Sequence, residues 1–347
     1  MGGARYKLGL TLGDPTGIGP ELWIKTLLSE YPHPEQLAQF VFFADPHVLL
    51  RTAETLGKES EWRGLSQHLR VEPVTELRAQ DSVPGKPNPQ SGKAQVSYLQ
   101  AAVLAAKRKE IDGLCTGPLH KASALSAGFP FPGHTDFLAA ELAAKNRQVV
   151  MMLAGKTLRV ALCTTHIPLR EVSSNLSVSR IVSTLLTTVD ALALDFGERS
   201  PVVYVLGLNP HAGEHGHLGD EEARLIQPAI HRVLSDPSLH DGRNVRVVGP
   251  LVPDVAFRHV LRAHKGQTIP PTFVAMYHDQ GLIPLKLLDF DSAVNVTLGL
   301  SVVRTSPDHG TAHDIAGQGI AEPASLQAAV RMCLEQVEHR RNFVCTV

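Results

Sequence analysis

The sequence predicts an α/β fold with two lobes and mostly parallel strands. Short apolar runs alternate with longer segments of helical periodicity from one end of the chain to the other. This alternation is typical of parallel α/β sheets. The chain has 347 residues, more than the roughly 250 to 300 at which a single hydrophobic core stops growing. A second lobe is therefore expected, with the active site in the cleft between the lobes.

Ten segments are predicted as β-strands, because each is a short apolar run that ends in turn-forming residues. They are Leu8–Leu12, Gln39–Phe43, Leu69–Pro73, Gly113–Thr116, Val149–Leu153, Leu158–Thr165, Val202–Leu208, Val245–Val248, Thr272–Tyr277 and Ala293–Leu298. Apolar residues at helical spacing predict helices at Glu21–Leu28, Ser91–Lys109, Phe137–Lys145, Val178–Leu194, Glu221–Leu234 and Ser325–Arg341. The proline-rich segment Asp81–Ser91 is predicted to be an exposed connector, and the stretch between Leu251 and Pro271 a mobile element.

The composition indicates a globular protein that binds small molecules. Hydrophobic residues make up 43% and charged residues 19% of the chain, which is ordinary for a folded domain with a large core. The formal net charge of −1 provides no overall field that would attract nucleic acid or an anionic membrane. We therefore expect neither nucleic-acid nor membrane partners, and an anionic ligand would need local donors.

The cysteines and the apolar segments predict a cytoplasmic location. The four cysteines form no Cys-x-x-Cys pair, and Cys115 and Cys163 lie inside apolar runs, as expected for reduced thiols. The first residues, MGGARYKLGL, lack the apolar stretch of a signal peptide. The longest apolar region, Val149–Cys163, is interrupted by Lys156 and Arg159, so no membrane span is predicted.

Three histidines, His166, His211 and His278, each lie just beyond a strand-like run. Loops at the carboxyl ends of parallel strands line the binding crevice of an open sheet, so the three imidazoles can converge on one divalent cation. Isolated histidines after strands are more often surface or capping residues, which is the alternative here. A second alternative is a local site of His211, His215 and His217. Imidazole ligands favour zinc, cobalt or nickel over magnesium.

The segment GDPTGIGPE, Gly13–Glu21, joins a predicted strand to a predicted helix. Its glycines allow a close approach of the backbone, and Pro20 suits a first helical turn, so exposed amides there can hold an anion. The segment is neither a dinucleotide fingerprint nor a P-loop. Spacing alone favours the alternative of a structural turn without a ligand.

Five polar residues predict an anion site. His134 and Thr135 follow Gly133 at the start of a predicted helix, where Thr135 or Asp136 is expected to act as the cap and anions are favoured. Lys286, Asn295 and Arg304 combine donors that suit a phosphate or carboxylate. A solvated Lys286 and an Arg304 paired with Asp308 are the structural alternatives.

Two aspartates are predicted to support the metal site. Asp279 directly follows His278, and Asp254 lies between His211 and His278 in the sequence. Carboxylates commonly orient the imidazoles that bind a metal. The alternative for each is an ordinary surface aspartate.

Five motifs resemble, in order and spacing, those of the 4-hydroxythreonine-4-phosphate dehydrogenase family of vitamin B6 biosynthesis. They are GDPTGIGPE, TGPLHKASALSAGFPFPGHTDFLA, LNPHAGEHGHLGDEE, MYHDQGLIPLK and VRTSPDHGTAHDIAG. The resemblance extends from Leu10 to about Gly319. It implies a two-lobed, three-layer α/β/α fold of the isocitrate and isopropylmalate dehydrogenase type, which binds NAD without a Rossmann fingerprint. We place residues 1–135 and 305–347 in one lobe and 136–304 in the other.

The resemblance also implies an activity and the residues that perform it. The expected reaction is the NAD- or NADP-dependent oxidation of 4-phosphooxy-L-threonine to 2-amino-3-oxo-4-phosphooxybutanoate, which loses carbon dioxide to give 3-amino-2-oxopropyl phosphate. The metal is expected to be zinc, with magnesium and cobalt as alternatives, in a site shared between the subunits of a homodimer. The implied residues are His166, His211 and His278 for the metal, His134, Thr135, Lys286, Asn295 and Arg304 for the substrate, and Asp254 and Asp279 in support.

Three departures from the family pattern affect these expectations. The sequence around Asp254 is altered, His215 and His217 lie close to His211, and His313 occupies a position that is usually apolar. Related phosphorylated hydroxy acids, such as threonate or erythronate 4-phosphate, are alternative substrates. A metal-dependent aldolase or hydrolase would fit the same residues, and so would a non-catalytic protein with a closed metal site.

Overall fold

The computed structural model describes residues 6–145, 147–239 and 244–344, and it confirms the predicted α/β class. The chain divides into two compact units. Unit 1 contains the described residues up to Ala143 together with Leu300–Glu338, and unit 2 contains Ala144–Gly299 and the described residues from His339. The predicted lobe boundaries at 135/136 and 304/305 both fall inside unit 1.

The described residues form eleven β-strands, and the first ten overlap the ten predicted strands. They are β1 Lys7–Thr11, β2 Gln39–Ala44, β3 Arg70–Pro73, β4 Gly113–Thr116, β5 Val150–Ala154, β6 Arg159–Leu162, β7 Val202–Leu206, β8 Arg246–Leu251, β9 Thr272–Ala275, β10 Val294–Leu298 and β11 Val303–Pro307. The last of these, β11, was not predicted.

The α-helices among the described residues include all six predicted segments and several shorter ones. They are α1 Gly19–Glu30, α2 Pro46–Thr55, α3 Glu59–Ser66, α4 Pro89–Lys107, α5 Lys121–Ser126, α6 His134–Leu142, α7 Val172–Asn175, α8 Val178–Leu194, α9 Gln227–Leu234, α10 Pro253–Ala263, α11 His278–Asp289 and α12 Ala324–Val344. The predicted helix Glu221–Leu234 begins with a π-helical turn, Glu222–Ile226, before α9.

The sheet of unit 1 has the strand order β3-β2-β1-β4-β11, and its neighbouring strands are all parallel. Helices α4 and α12 both pack on this sheet: α4 contacts β1, β2 and β4, and the Thr305 hydroxyl of β11 donates to the Ala329 carbonyl of α12 at 2.8 Å. Because the strands are parallel, the loops that follow β1, β4 and β11 leave the same edge of the sheet.

The sheet of unit 2 has the strand order β10-β5-β6-β9-β7-β8. Strand β5 is antiparallel to both of its neighbours, whereas β6, β9, β7 and β8 are parallel. Buried side chains such as Val160 and Phe273 pack on one face with Val260 of α10 and Leu285 of α11. Helix α8 contacts β5, β6, β7 and β10. The prediction of mostly parallel pairing is confirmed, with β5 as the exception.

The prediction of a mobile element between Leu251 and Pro271 is wrong, because the segment contains α10. Pro253 is the first helical residue, a position that proline favours, and Ala256 and Val260 are buried one helical turn apart. Packing of these two residues in the core of unit 2 orders the segment.

Among the described residues, no single helix has both the length and the hydropathy needed to cross a membrane. Two consecutive helical segments are long and apolar enough for a span only when they are counted together, and they are bent by 91° at their junction. They are Leu169–Asn175 and Val178–Leu194. Much of Val178–Leu194 is core, including Ile181, Leu185 and Val189.

Candidate active site

The three histidines predicted to bind a metal follow three adjacent parallel strands of unit 2. His166 follows β6, His278 follows β9 and His211 follows β7, and β9 lies between the other two. The ring centroids of His166 and His278 are 5.6 Å apart. Both rings line a cleft of about 430 Å³ that Thr165, Tyr277 and Asp279 also line.

Hydrogen bonds between the loops fix the relative positions of these strand ends. The Thr164 hydroxyl donates to the carbonyl oxygen of Met276 at 2.7 Å. The Met276 amide in turn donates to Oε1 of Gln280 at 2.7 Å, and Nε2 of Gln280 donates to the carbonyl oxygen of Gly207 at 2.6 Å. Gln280 therefore joins the loops after β9 and β7, a role that sequence reasoning missed.

His278 is oriented by its neighbour in the chain. Its Nδ1 lies 2.7 Å from Oδ1 of Asp279, whose side chain is 71% exposed. A carboxylate on Nδ1 favours the tautomer with the proton on that nitrogen, which leaves Nε2 as the acceptor and potential metal ligand. The supporting role of Asp279 at a metal site stays a prediction.

His211 lies in a strained loop. Residues His211, Ala212, Gly213, Glu214 and His215 all have φ between 43° and 83°, the left-handed region. Non-glycine residues there cost roughly 1 to 3 kcal/mol each, and such strain is concentrated at functional sites. His211, His215 and His217 are all exposed.

A buried carboxylate stabilises this strained loop. Glu222 accepts hydrogen bonds from the amides of Leu208 at 2.7 Å and Asn209 at 2.8 Å. Its second oxygen accepts from Nδ2 of Asn209 at 3.0 Å. Glu222 begins the π-helical turn, and π-helical turns are often found at functional sites.

Asp254 lies in the first turn of α10 and is exposed. Helix α10 contacts the loop Pro210–Gly216 that carries His211. The structure thus places Asp254 on an element beside that loop, and its supporting role stays a prediction.

His134 and Thr135 are the first two residues of α6 in unit 1. The capping prediction is wrong, because the cap residue is Gly133 and no side chain caps this end. Thr135 and Asp136 lie inside the first turn, where the backbone amides have no partners within the helix. Burial, and the nearby Arg304 and Lys121 cations, hold the pKa of His134 well below its usual value, so its imidazole is neutral near pH 7.

Arg304 is a buried cation on β11. Its side chain is 2% exposed, and Nη2 donates to the Thr116 hydroxyl at 2.6 Å. Burial lowers the pKa of Arg304 to about 10, so it remains protonated at neutral pH. A buried guanidinium near a neutral imidazole suits recognition of an anion.

Lys286 and Asn295 belong to unit 2 rather than unit 1. Lys286 is a partly buried residue of α11, and Asn295 pairs with Leu153 across β10 and β5. The Oδ1 atom of Asn295 is buried and accepts no hydrogen bond. An unsatisfied buried acceptor in a folded protein is costly, and a ligand donor would satisfy it.

The glycine-rich segment Gly13–Glu21 is explained by packing. A Cβ atom on Gly13, whose φ is +76°, would lie 2.3 Å from the Pro118 carbonyl oxygen, and one on Gly17 would lie 2.8 Å from that of Thr311. The Ile18 amide donates to the same Thr311 oxygen at 2.9 Å. These contacts support the structural interpretation of the segment.

A separate cluster in unit 1 was not predicted. Among the described residues, Asp14, His120 and His313 are the only His, Cys, Asp or Glu side chains that bring three potential ligand atoms within 4.8 Å of one another. Neither His166, His211 and His278 nor the local trio of His211, His215 and His217 meets this distance criterion. The metal role of His166, His211 and His278 therefore stays a prediction. A sequence signal was present for His120, which follows the predicted strand β4, but not for His313, because β11 was not predicted.

Comparisons with known proteins give a consistent result. A family model described as "Pyridoxal phosphate biosynthetic protein PdxA" matches residues 36–333. The chain is 39% identical over 332 residues to a 4-hydroxythreonine-4-phosphate dehydrogenase of Sulfurihydrogenibium sp. (strain YO3AOP1), covering 94% of this chain and 97% of the relative. It is 43% identical over 340 residues to the protein of the same name from Paracoccus denitrificans, covering 95% and 98%.

Solved structures show the same fold. The crystal structure of a 4-hydroxythreonine-4-phosphate dehydrogenase from Klebsiella pneumoniae matches with a TM-score of 0.77 and 31% identity. The match covers 96% of this chain and all of that one. The similarity therefore includes both units.

Proposed function

Because the chain belongs to the family described as pyridoxal phosphate biosynthetic protein PdxA, we propose that it is a 4-hydroxythreonine-4-phosphate dehydrogenase. The substrate is 4-phosphooxy-L-threonine, whose secondary alcohol is oxidised to a ketone. The hydride passes to NAD or NADP and the hydroxyl proton is released. The resulting 3-oxo acid, 2-amino-3-oxo-4-phosphooxybutanoate, loses carbon dioxide to give 3-amino-2-oxopropyl phosphate, a precursor in pyridoxal phosphate biosynthesis.

The observation that carries the proposal is the position of His166, His211 and His278 after three adjacent parallel strands. The donor set fits a divalent cation, because neutral imidazoles suit zinc, and cobalt or magnesium are the alternatives. Asp279 leaves Nε2 of His278 as its available donor. When bound, a cation at this site acidifies the substrate hydroxyl and stabilises negative charge on its oxygen.

His134, Thr135 and Arg304 are proposed to bind the substrate phosphate. Arg304 provides a permanent charge, the neutral His134 ring can donate one hydrogen bond, and the first turn of α6 offers free amides. Lys286 and Asn295, which belong to unit 2, are also proposed as substrate-binding residues. The buried Oδ1 of Asn295 can accept a hydrogen bond from the substrate's amine or hydroxyl.

A pocket in unit 1 supports the proposal that the protein binds a nicotinamide cofactor. It has a volume of about 190 Å³ and is lined by apolar side chains, including Val48, Leu56 and Val83, and by Arg51. Apolar walls beside a cation fit part of an anionic dinucleotide. Unit 1 is therefore proposed to bind NAD or NADP.

We also propose a homodimer whose metal site is shared between subunits. Helix α11, which begins at His278, and its C-cap residue expose a row of large apolar side chains: 66% of Ile283, 83% of Leu287 and 71% of the cap residue Phe290. Exposed apolar patches of this kind are typical of protein interfaces. A second copy packed on α11 would bring its own residues next to the metal ligands.

The proposed location is the cytoplasm. Cys115, Cys163 and Cys333 are buried thiols that form no disulfide within the described chain. Burial raises the pKa of the Cys115 and Cys163 thiols to about 12, so neither forms a reactive thiolate near neutral pH. Free thiols support a reducing compartment.

The function is tested by following NADH or NADPH absorbance at 340 nm with 4-phosphooxy-L-threonine as substrate. We expect reduction of the cofactor that depends on the phosphorylated amino acid and on a divalent metal. Threonate and erythronate 4-phosphates test the alternative substrates under the same conditions. Cleavage or hydrolysis of the substrate without cofactor reduction would instead identify an aldolase or hydrolase.

A further inference from the structure

We propose that Asp14, His120 and His313 bind a divalent metal ion in unit 1, in addition to the cation proposed for the histidines of unit 2. One potential ligand atom of each residue lies within 4.8 Å of those of the other two. The three residues follow β1, β4 and β11, which are adjacent parallel strands. The cluster thus has the same kind of placement as the predicted metal ligands, after the carboxyl ends of adjacent parallel strands, but in unit 1.

Asp14 is held in one orientation and is fully buried. Its Oδ1 accepts hydrogen bonds from the amide of Thr16 at 2.9 Å and from the Thr16 hydroxyl at 2.7 Å. Its Oδ2 faces Nε2 of His313 at 3.1 Å. Burying a carboxylate is costly unless nearby charge compensates it, and a cation held at Oδ2 would provide that charge.

The hydrogen bonds of His120 make one ring nitrogen available. Oγ of Ser123 accepts from Nε2 of Gln95 at 2.8 Å, and it can donate to the carbonyl oxygen of His120 at 3.3 Å. Its remaining lone pair accepts from Nδ1 of His120 at 2.9 Å. In the tautomer with the proton on Nδ1, this arrangement satisfies all three groups and leaves a lone pair on Nε2 for a metal.

His313 completes the cluster from the loop after β11. Its side chain is 19% exposed, so the cluster is accessible from solvent. The His120 and His313 ring centroids are 4.7 Å apart with the rings nearly perpendicular, at 83°. Tetrahedral coordination at normal zinc–nitrogen lengths places ligand atoms about 3.3 Å apart, so small side-chain rotations would close the cluster around an ion.

The ligand set indicates the class of metal. Two imidazoles and one carboxylate suit zinc, cobalt or another divalent transition ion better than calcium or magnesium, which prefer oxygen ligands. Three protein ligands leave at least one position open. An ion bound here would also link the loops after β1, β4 and β11 and stabilise their relative positions.

Counting the metal ions bound by the intact protein tests this second site. The chain is stripped with a chelator and titrated with Co²⁺, and bound cobalt is measured by its visible absorption and by mass spectrometry of the metal. Wild type is compared with His313→Leu, with His120→Gln as a second variant in case the first does not fold. His166→Ala reports on the unit 2 site, and His33→Leu, at an exposed histidine, is the matched control.

We expect two cobalt ions per chain in wild type and in His33→Leu, and one in His313→Leu, His120→Gln and His166→Ala. A single ion that is lost in His313→Leu but retained in His166→Ala would still support the unit 1 site, and would count against the metal site of the proposed function. If His313→Leu and His120→Gln both retain the full wild-type number of ions, the proposal is overturned. Absence of bound cobalt from the wild-type protein would overturn it as well. The cluster would then consist only of the Asp14–His313 hydrogen bond and the edge-to-face contact between the His120 and His313 rings.

Discussion

Nε2 of Gln280 donates a hydrogen bond of 2.6 Å to the carbonyl oxygen of Gly207, across 73 residues of sequence. The same side chain accepts from the Met276 amide. The loop after β9, which leads directly to His278, and the loop after β7, which leads to His211, are thus connected by one side-chain amide group that bonds to the backbone on both sides.

Replacing Gln280 with leucine should weaken metal binding while leaving the protein folded. Loss of partners that orient metal ligands typically costs about 10- to 100-fold in affinity. Competition with a chromogenic chelator would measure this change. Gln267→Leu is the control, because Gln267 is an exposed glutamine with only a marginal 3.5 Å contact to Ala263. Equal affinities in the two variants would contradict the positioning role.

Replacing His166 or His211 with alanine should abolish turnover without unfolding the protein. Each change removes one of the proposed metal ligands, and both side chains are exposed, so neither substitution should open a large cavity. The measurement is cofactor reduction at 340 nm together with circular dichroism. His33→Ala should retain wild-type activity. Near-normal turnover of a chelator-treated His166→Ala protein would refute the metal role.

Replacing Arg304 with methionine should chiefly weaken binding of the phosphorylated substrate. Hydrogen bonds to charged groups contribute about 1.5 to 3 kcal/mol, which corresponds to roughly 10- to 150-fold in KM. The buried position makes a fold check necessary, and Arg304→Lys, which keeps the charge, should lose less. If 4-hydroxy-L-threonine, which lacks the phosphate, loses as much affinity as the substrate, the phosphate contact is excluded.

The depressed pKa of His134 predicts a pH dependence of stability. Below the ordinary histidine pKa of about 6.5 the unfolded chain takes up a proton that the folded chain resists, so stability falls as the pH drops from 7 towards 5. The contribution of this residue is at most about 1.4 kcal/mol per pH unit. Urea unfolding at several pH values should show a shallower dependence for His134→Asn than for wild type. Identical slopes would mean that His134 does not resist protonation.

Replacing Leu287 with glutamate should shift the protein towards monomers. The change places a charge on the exposed apolar side of α11, where a second copy is proposed to pack. Sedimentation velocity measures the oligomeric state. Leu125→Glu, on α5 of unit 1 and 67% exposed, is the control and should not change it. A wild-type protein that sediments as a monomer would contradict the dimer directly.

The elements that carry the histidines could be predicted because β6, β7 and β9 are buried apolar runs with clear ends. The antiparallel direction of β5 could not be predicted, because a buried strand has the same composition whether its neighbours run parallel or antiparallel to it. Strand β11 was missed because VRTSP is short and polar, although all five residues are buried. The cap of α6 was misassigned because serine, threonine and aspartate are better caps than Gly133 on average.

The contacts that complete the sites join residues far apart in the chain. Asp14 and His313 form a side-chain contact across 299 residues of sequence. Arg304 donates a hydrogen bond to Thr116 across 188 residues. Neither pairing follows from local periodicity. Such partners depend on the order of the strands in the sheet, which local periodicity does not provide.

The backbone around His211 adopts a conformation that its own residue types disfavour, at roughly 1 to 3 kcal/mol for each of the four non-glycine residues in the left-handed region. The loop cannot maintain this shape by itself, and Glu222 and Asn209 must hold it in place. The location of the imidazole is consequently a property of the whole folded unit. Isolated peptides spanning this motif should not reproduce it.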